Sequence, residues 1–217
     1  MSKGEATRQF ILERAAPIFN QRGYVGCALS DIMEATGLNK GGIYRHFENK
    51  EELAAEAFDY AWRTVSAKRR RGMEDIANEV DRLKHHVANF TEQTNFPGGC
   101  PVLNTAVDAD DGNPVLRERV RAALQNWRDM LIATVEEGRR SGTVRPDIDA
   151  SRVANRIIGA LEGANLLARI EKSRAPLHDT LIQLDSYLET EVRAVSRRGT
   201  APRAAKNKSQ GVLTESD

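Results

Sequence analysis

Apolar residues in this chain recur at three- and four-residue steps along most of its length, and no stretch of six or more residues alternates strictly between apolar and polar. Such spacing lays one stripe along a helix, whereas a half-buried strand needs period two. An all-α fold of about nine helices is expected. Residues 6–21 carry Phe10, Ile11, Ala15, Ile18 and Phe19 before a stop at Gly23, and Pro17 predicts a kink inside this helix. A short helix with Leu29, Ile32, Met33 and Ala35 ends at Gly37, and Asn39 caps another over 40–47. Asn49 and Glu52 have capping-box spacing and open a long helix with Leu53, Ala57, Phe58, Ala61, Trp62 and Val65, which frays into Lys68-Arg69-Arg70-Arg71.

Downstream, Met73, Ile76, Val80, Leu83, Val87 and Phe90 trace an amphipathic helix that stops at the Phe96 to Pro101 loop. Asn113 and Pro114 begin another, with Val115, Val120, Leu124, Trp127, Leu131 and Val135, up to Gly138. Asp149 or Ser151 starts a helix with Val153, Ile157, Leu161 and Ala164. Pro176 opens the last, whose Leu177, Leu181, Leu184, Leu188, Val192 and Val195 step by four and three. Three regions are expected: 1–50, 51–198, and a disordered basic tail over 199–217.

With 32 basic against 31 acidic side chains, bulk charge excludes neither nucleic-acid nor protein partners, so local distribution must decide. Two stretches are basic, 68–71 and 192–214. Either reads first as a solvated helix end or tail. Cys27 and Cys100 are too few for a disulfide framework and read as small buried hydrophobes. No apolar run is long enough to span a membrane, and the start of the chain lacks a signal-peptide core, so a cytoplasmic protein is expected.

The segment 30–47 pairs a short helix, a Gly-containing turn and a second short helix beginning Lys40-Gly41-Gly42. That is the order of a helix-turn-helix, whose second helix presents its amino end to the major groove. The residue types suit the role. Glycines admit close backbone approach, a helix amino terminus favours phosphate, and Lys40 adds a full charge. Tyr44, Arg45 and His46 follow as donors, with Lys50 at the next helix start.

Gly23-Tyr24, Asp31-Ile32, Gly37-Leu38-Asn39-Lys40-Gly41, Ile43-Tyr44-Arg45-His46-Phe47 and Asn49-Lys50-Glu51-Glu52-Leu53 resemble the amino-terminal signature of TetR-type (TetR/AcrR) transcriptional regulators over about residues 8–60. The resemblance implies a three-helix DNA-binding domain and a larger helical domain for ligand binding and dimerisation. It implies a regulator, usually a repressor, that holds a palindromic double-stranded operator as a homodimer and is released by a small-molecule inducer. By position, Lys40, Tyr44, His46 and Lys50 would grip phosphates. Ser30, Asn39, Gly41, Gly42 and Arg45 would lie near base edges or the adjoining backbone, and Phe47 would be core. One departure stands out: Cys27 and Ala28 occupy the place where the family commonly has a Thr or Ser cap.

The carboxy-terminal part is read from its residues alone. Its four-three spacing suits a helix-helix seam, and Gly159 and Gly163 allow close backbone approach. A dimer interface is therefore expected from Ile157, Leu161, Leu181, Leu184, Leu188 and Val192, with ordinary intrachain core as the alternative. A ligand pocket is expected among Phe58, Trp62, Phe90, Trp127 and Met130, with Asn104, Glu162 and Asn165 as polar contacts.

Enzymatic readings lack a constellation. Cys100 has no recognisable His partner, and the adjacent His85 and His86 point about 100° apart on a helix. Counting from Asp108, a calcium loop would need a ligand, Gly and Glu where Gly112, Asn113 and Arg119 stand. No enzyme activity, metal or cofactor is expected. The rival class is a helical adaptor without specific DNA binding, and replacing Lys40 and Tyr44 would distinguish the two.

Overall fold

The computed structural model describes residues 2–92, 96–109 and 112–195. Among them are nine α-helices, a terminal π turn and no strand. Helix α1 (Lys3–Gly26) starts earlier than its apolar stripe implies. Ser2 Oγ accepts from the Glu5 amide at 3.2 Å while Glu5 Oε2 accepts from the Ser2 amide at 2.6 Å, so both ends of a capping box are made. Backbone angles stay helical at Pro17, contrary to the expected kink. The break falls at Gly23, whose φ of 74° is easy only for glycine.

Helices α2 (Leu29–Thr36) and α3 (Lys40–Tyr44) flank Gly37, which adopts φ 68°. The missing hydroxyl cap at α2 is offset from inside the helix. Asp31 Oδ2 accepts from the Ala28 amide at 2.9 Å and Asp31 also pairs with Arg22, and these two contacts hold its carboxyl below the usual range. Helix α3 ends three residues before the expected 47, where the His46 amide bonds the Ile43 carbonyl and tightens the turn. This turn drops Phe47 into the core at 2% exposure.

Asn49 caps α4 (Lys50–Arg70) by accepting from Glu52 N at 2.8 Å. The reciprocal half differs from expectation, since the Glu52 carboxylate takes the Glu48 amide. Helix α5 (Glu79–Glu92) begins later than Met73, because Asn78 Oδ1 gathers the Val80 and Asp81 amides and places Met73 and Ile76 in the preceding turn. Helix α6 (Pro101–Ala109) is not among the helices expected from the sequence, and it begins at the last residue of the expected Phe96 to Pro101 loop. Helix α7 (Pro114–Ser141) follows its Asn113 cap but continues past Gly138, which packs against Val144, to Gly142 at φ 81°. Helix α8 (Ala150–Glu171) starts on Asp149, and α9 (Ala175–Tyr187) passes into the π turn Leu188–Val192.

One core joins Ile11, Ala15, Ile32, Ile43 and Phe47 to Leu53, Ala57 and Ala61 of α4. A second joins Val80, Leu83, Phe90, Trp127 and Leu131 to α8 and α9. Helix α4 serves both, since Trp62 packs on the second core. The two ends of one rigid helix thus touch the helix-turn-helix and the larger bundle. Burial of this apolar surface, at about 25 cal/mol per Å², is what holds that arrangement. No helix among the described residues is long and apolar enough to cross a membrane.

Candidate functional site

The helix-turn-helix is built from the inside out. Ile32, Ile43 and Phe47 anchor α2 and α3 in the core, leaving Ser30, Asn39, Lys40, Gly41 and Arg45 exposed and Gly42, Tyr44, His46 and Lys50 partly so. Asn39 Oδ1 accepts from Gly42 N at 2.8 Å, so its oxygen is committed to capping α3. A Cβ at Gly41 would meet nothing closer than 3.6 Å, and one at Gly42 nothing closer than 3.4 Å. Nothing severe inside the chain requires glycine at these two positions. Lys40 Nζ lies 5.9 Å from the Tyr44 ring.

Lys50 is held differently. Its ammonium donates to the Tyr24 carbonyl at 2.6 Å and sits 4.5 Å from the Tyr24 ring. Arg8, which sequence reasoning missed, braces α3 from behind. It pairs with Glu56, donates to the His46 carbonyl at 3.4 Å and covers the Phe47 ring at 4.7 Å. At the far side of Gly23, Asp108 Oδ2 accepts the Tyr24 amide at 2.5 Å and so ties the end of α1 to α6.

The residues expected to bind ligand are not brought to one place. Trp62, Trp127 and Met130 line a cavity of about 420 Å³ that also takes in Arg63, Ser66, Arg69, Arg70, His86 and Asn126. Phe90 is buried behind it, stacked on Trp127 with ring centroids 5.9 Å apart. Glu162 lies deeper, 3.9 Å from Arg69. Phe58 instead packs with Cys100 and Val102, and Asn104 is spent on Asn20, the Gly98 carbonyl and Arg169. Asn165 borders a separate groove with Arg169 and Leu177.

Arg69 corrects the reading of 68–71 as a solvated end. It is 2% exposed, stacked over Phe90, Trp127 and Trp62. A signal was present, since Phe58, Trp62, Val65 and Arg69 step by four, three and four along one face. His86 was also missed as a site residue. Its Nε2 accepts the Trp127 indole N–H at 2.9 Å while Nδ1–H donates to the Arg69 carbonyl at 3.2 Å. Full burial, with the positive charge of Arg69 nearby, pushes its pKa down to about 3, so the ring is neutral. Cys27 and Cys100 are both buried, and burial raises the Cys100 thiol to about 11, away from thiolate chemistry.

The expected dimer stripe is corrected as well. Ile157, Leu161, Leu184, Leu188 and Val192 are buried within this chain, and Leu181 packs beside them. The four-three spacing marks the seam of α8 and α9 with α5 and α7, the intrachain alternative. On the opposite side, α8 exposes Leu166, Leu167 and Ile170, and α9 exposes Ile182. Gly159 and Gly163 lie on that outer side with no side chain or neighbouring backbone near. Arg193, counted with the basic tail, is paired with Asp81 and Glu189. The rest of the expected tail lies outside the described residues.

Among the described residues, helices throughout, an exposed, Asn-capped α3 and a second helical bundle are the architecture of a helix-turn-helix protein. The chain matches "Bacterial regulatory proteins, tetR family" over residues 11–57 and "Tetracyclin repressor-like, C-terminal domain" over 79–184. It is 31% identical to the HTH-type transcriptional repressor DhaR of Mycobacterium sp. (strain GP1), covering 80% of this chain and 88% of that one. A crystal structure of a TetR transcriptional regulator from Chloroflexus aurantiacus J-10-FL superposes with a TM-score of 0.86 at 45% identity, covering 90% and 100% of the two chains. A TetR-family regulator from Cytophaga hutchinsonii gives 0.79 at 36%, covering 87% and 96%. This chain belongs to the TetR family of transcriptional regulators.

Proposed function

We propose that the chain is a ligand-released repressor that binds a palindromic operator as a homodimer. The carrying observation is the amino end of α3. Lys40 and Gly41 are exposed, the two glycines answer no severe internal steric need, and the Asn39 oxygen is already engaged in capping the helix. In this reading Lys40, Tyr44, His46 and Lys50 grip phosphates, and Ser30, Gly41, Gly42 and Arg45 lie at base edges or the adjoining backbone. Asn39 supports the helix that carries them.

Residues 1–50 form the DNA-binding part and 51–198 the ligand-binding and dimerisation part, with α4 running from one to the other. The dimer face is the outer side of α8 and α9, because α8 exposes Leu166, Leu167 and Ile170 and α9 exposes Ile182, large apolar side chains that a second copy would cover. The ligand enters the cavity beside Trp62 and Trp127. The protein acts in the cytoplasm.

Fluorescence anisotropy on DNA fragments from upstream of its own gene and the neighbouring genes, across a salt series, tests the reading. Tight binding to one fragment with two chains per site is expected. Equal, weak binding to every fragment and to a selected random library would overturn it.

A further inference from the structure

Arg69 is buried against three aromatic rings and faces Glu162, but its hydrogen-bonding capacity is unspent. Its guanidinium is fully enclosed, with ring centroids of Phe90 at 4.0 Å and Trp127 at 4.8 Å, yet none of Nε, Nη1 or Nη2 has a hydrogen-bond partner among the described residues. A guanidinium carries five N–H donors in a fixed fork, and leaving them unmade inside a protein is strongly unfavourable. Glu162, whose two carboxylate oxygens are likewise without a hydrogen-bond partner among the described residues, faces the charge but does not meet the need. Its Oε1 stands 3.9 Å from Nη1, beyond hydrogen-bond reach. His86 cannot help, because both of its ring nitrogens are already engaged.

The surroundings of Arg69 select a ligand by charge. The cavity it lines holds about 420 Å³, within the range of small-molecule sites. Its lining includes Arg63 and Arg70, both exposed, and no carboxylate. Its walls are Trp62, Trp127 and Met130. A cationic ligand would meet three arginines. A planar anion matches the guanidinium fork in two parallel bonds.

We propose that this cavity takes a small carboxylate with a flat apolar body, the carboxylate drawing the enclosed Arg69 fork round to pair with it and the body against Trp62, Trp127 and Met130. The proposal rests on the ligand-responsive reading above and names the chemical class of its effector. Burial pushes the Glu162 carboxyl toward its neutral form, against the pull of the Arg69 charge.

The chain has only two tryptophans, and both line this cavity with centroids 5.8 Å apart. Tryptophan fluorescence therefore reports on its occupancy. The full chain would be titrated with 3-phenylpropanoate and benzoate, with their primary amides, and with 3-phenylpropylamine. The carboxylates should perturb the emission saturably, about tenfold tighter than the amides. Arg69→Gln should remove that preference and leave amide affinity unchanged. Should Arg69→Gln fail to fold, Arg63→Glu at the exposed mouth carries the test by weakening carboxylates alone. Amides or the amine binding as tightly as the carboxylates, no probe altering the emission, or a preference that survives the folded variants would each overturn the proposal.

Anisotropy on bound DNA in the same solutions separates this inference from the reading beneath it. Carboxylates that bind through Arg69 without lowering DNA affinity leave the site standing and remove ligand release. Amides that release DNA as well as carboxylates do the reverse.

Discussion

Trp127 donates its indole N–H to His86 Nε2 at 2.9 Å, and the bond requires the imidazole to be neutral. Protonation would leave two donors facing each other beside the charge of Arg69. The folded pKa is about 3 against an ordinary 6.5. Between those values the unfolded chain binds a proton that the folded chain refuses, so this group's stabilisation is full above pH 6.5 and is lost as pH falls toward 3.

From pH 7 to pH 5 the loss from His86 alone should be about 2 kcal/mol, at a limiting slope of about 1.4 kcal/mol per pH unit. Glu162, with its raised pKa, acts in the opposite sense, so a comparison isolates the histidine. Urea unfolding of the wild type and His86→Gln, at one protein concentration, should show the stability gap between them narrowing by that amount at pH 5. A constant gap would remove His86 as the source.

The burial of Leu184 at 3% and the exposure of Ile170 at 75% make opposite predictions for the same substitution. Leu184→Asp puts an unpaired charge into the core and should destabilise the fold by about 3–5 kcal/mol, visible as loss of a cooperative thermal transition. Leu167→Asp with Ile170→Asp should leave the circular dichroism unchanged and convert the protein to monomers in sedimentation velocity. A dimer persisting in the double variant would move the interface elsewhere.

These two leucine-rich faces show how much the sequence could disclose. Helix positions followed from period and caps, and the helix-turn-helix followed from Gly37, Asn39 and the residues after them. What the pattern could not say is which neighbour a stripe meets. Leu161 and Leu184 have spacing that suits a partner helix from either copy, and only the packing of α8 and α9 on α5 and α7 assigns them inward. Arg69 was hidden for another reason. Its charge places it with its basic neighbours in any count, while its phase places it with Trp62 and Val65. Helix α6 was masked by Pro97, Gly98, Gly99 and Pro101, although Pro101 is well suited to a first helical position.

Gly23 sits at the joint between α1 and α6, beside the Tyr24 amide held by Asp108. A Cβ on residue 23 would stand 2.8 Å from Asp108 Oδ1 at a φ of 74°, so Gly23→Ala is strained on two counts. The substitution should cost about 1–2 kcal/mol and lower Tm by about 2–8 °C. An unchanged Tm would show that α1 and α6 adjust without strain.

Lys40 and Lys50 carry the same charge, but the free protein treats them differently. Lys40 is exposed, and its ammonium lies only near the Tyr44 ring, so removing it leaves the fold intact. Lys50 is bonded to the Tyr24 carbonyl at 2.6 Å, so its removal also loosens the joint at α1. Lys40→Ala with Tyr44→Phe should leave Tm within about 2 °C and weaken DNA binding on every sequence alike. Removing the Lys40 phosphate contact should flatten the plot of log affinity against log salt by about 1. Lys50→Ala should flatten it by a similar amount and lower Tm as well. Anisotropy at four salt concentrations reads the slope, and salt-sensitive binding that survives unchanged in the Lys40 and Tyr44 double variant would place the phosphate contacts outside α3.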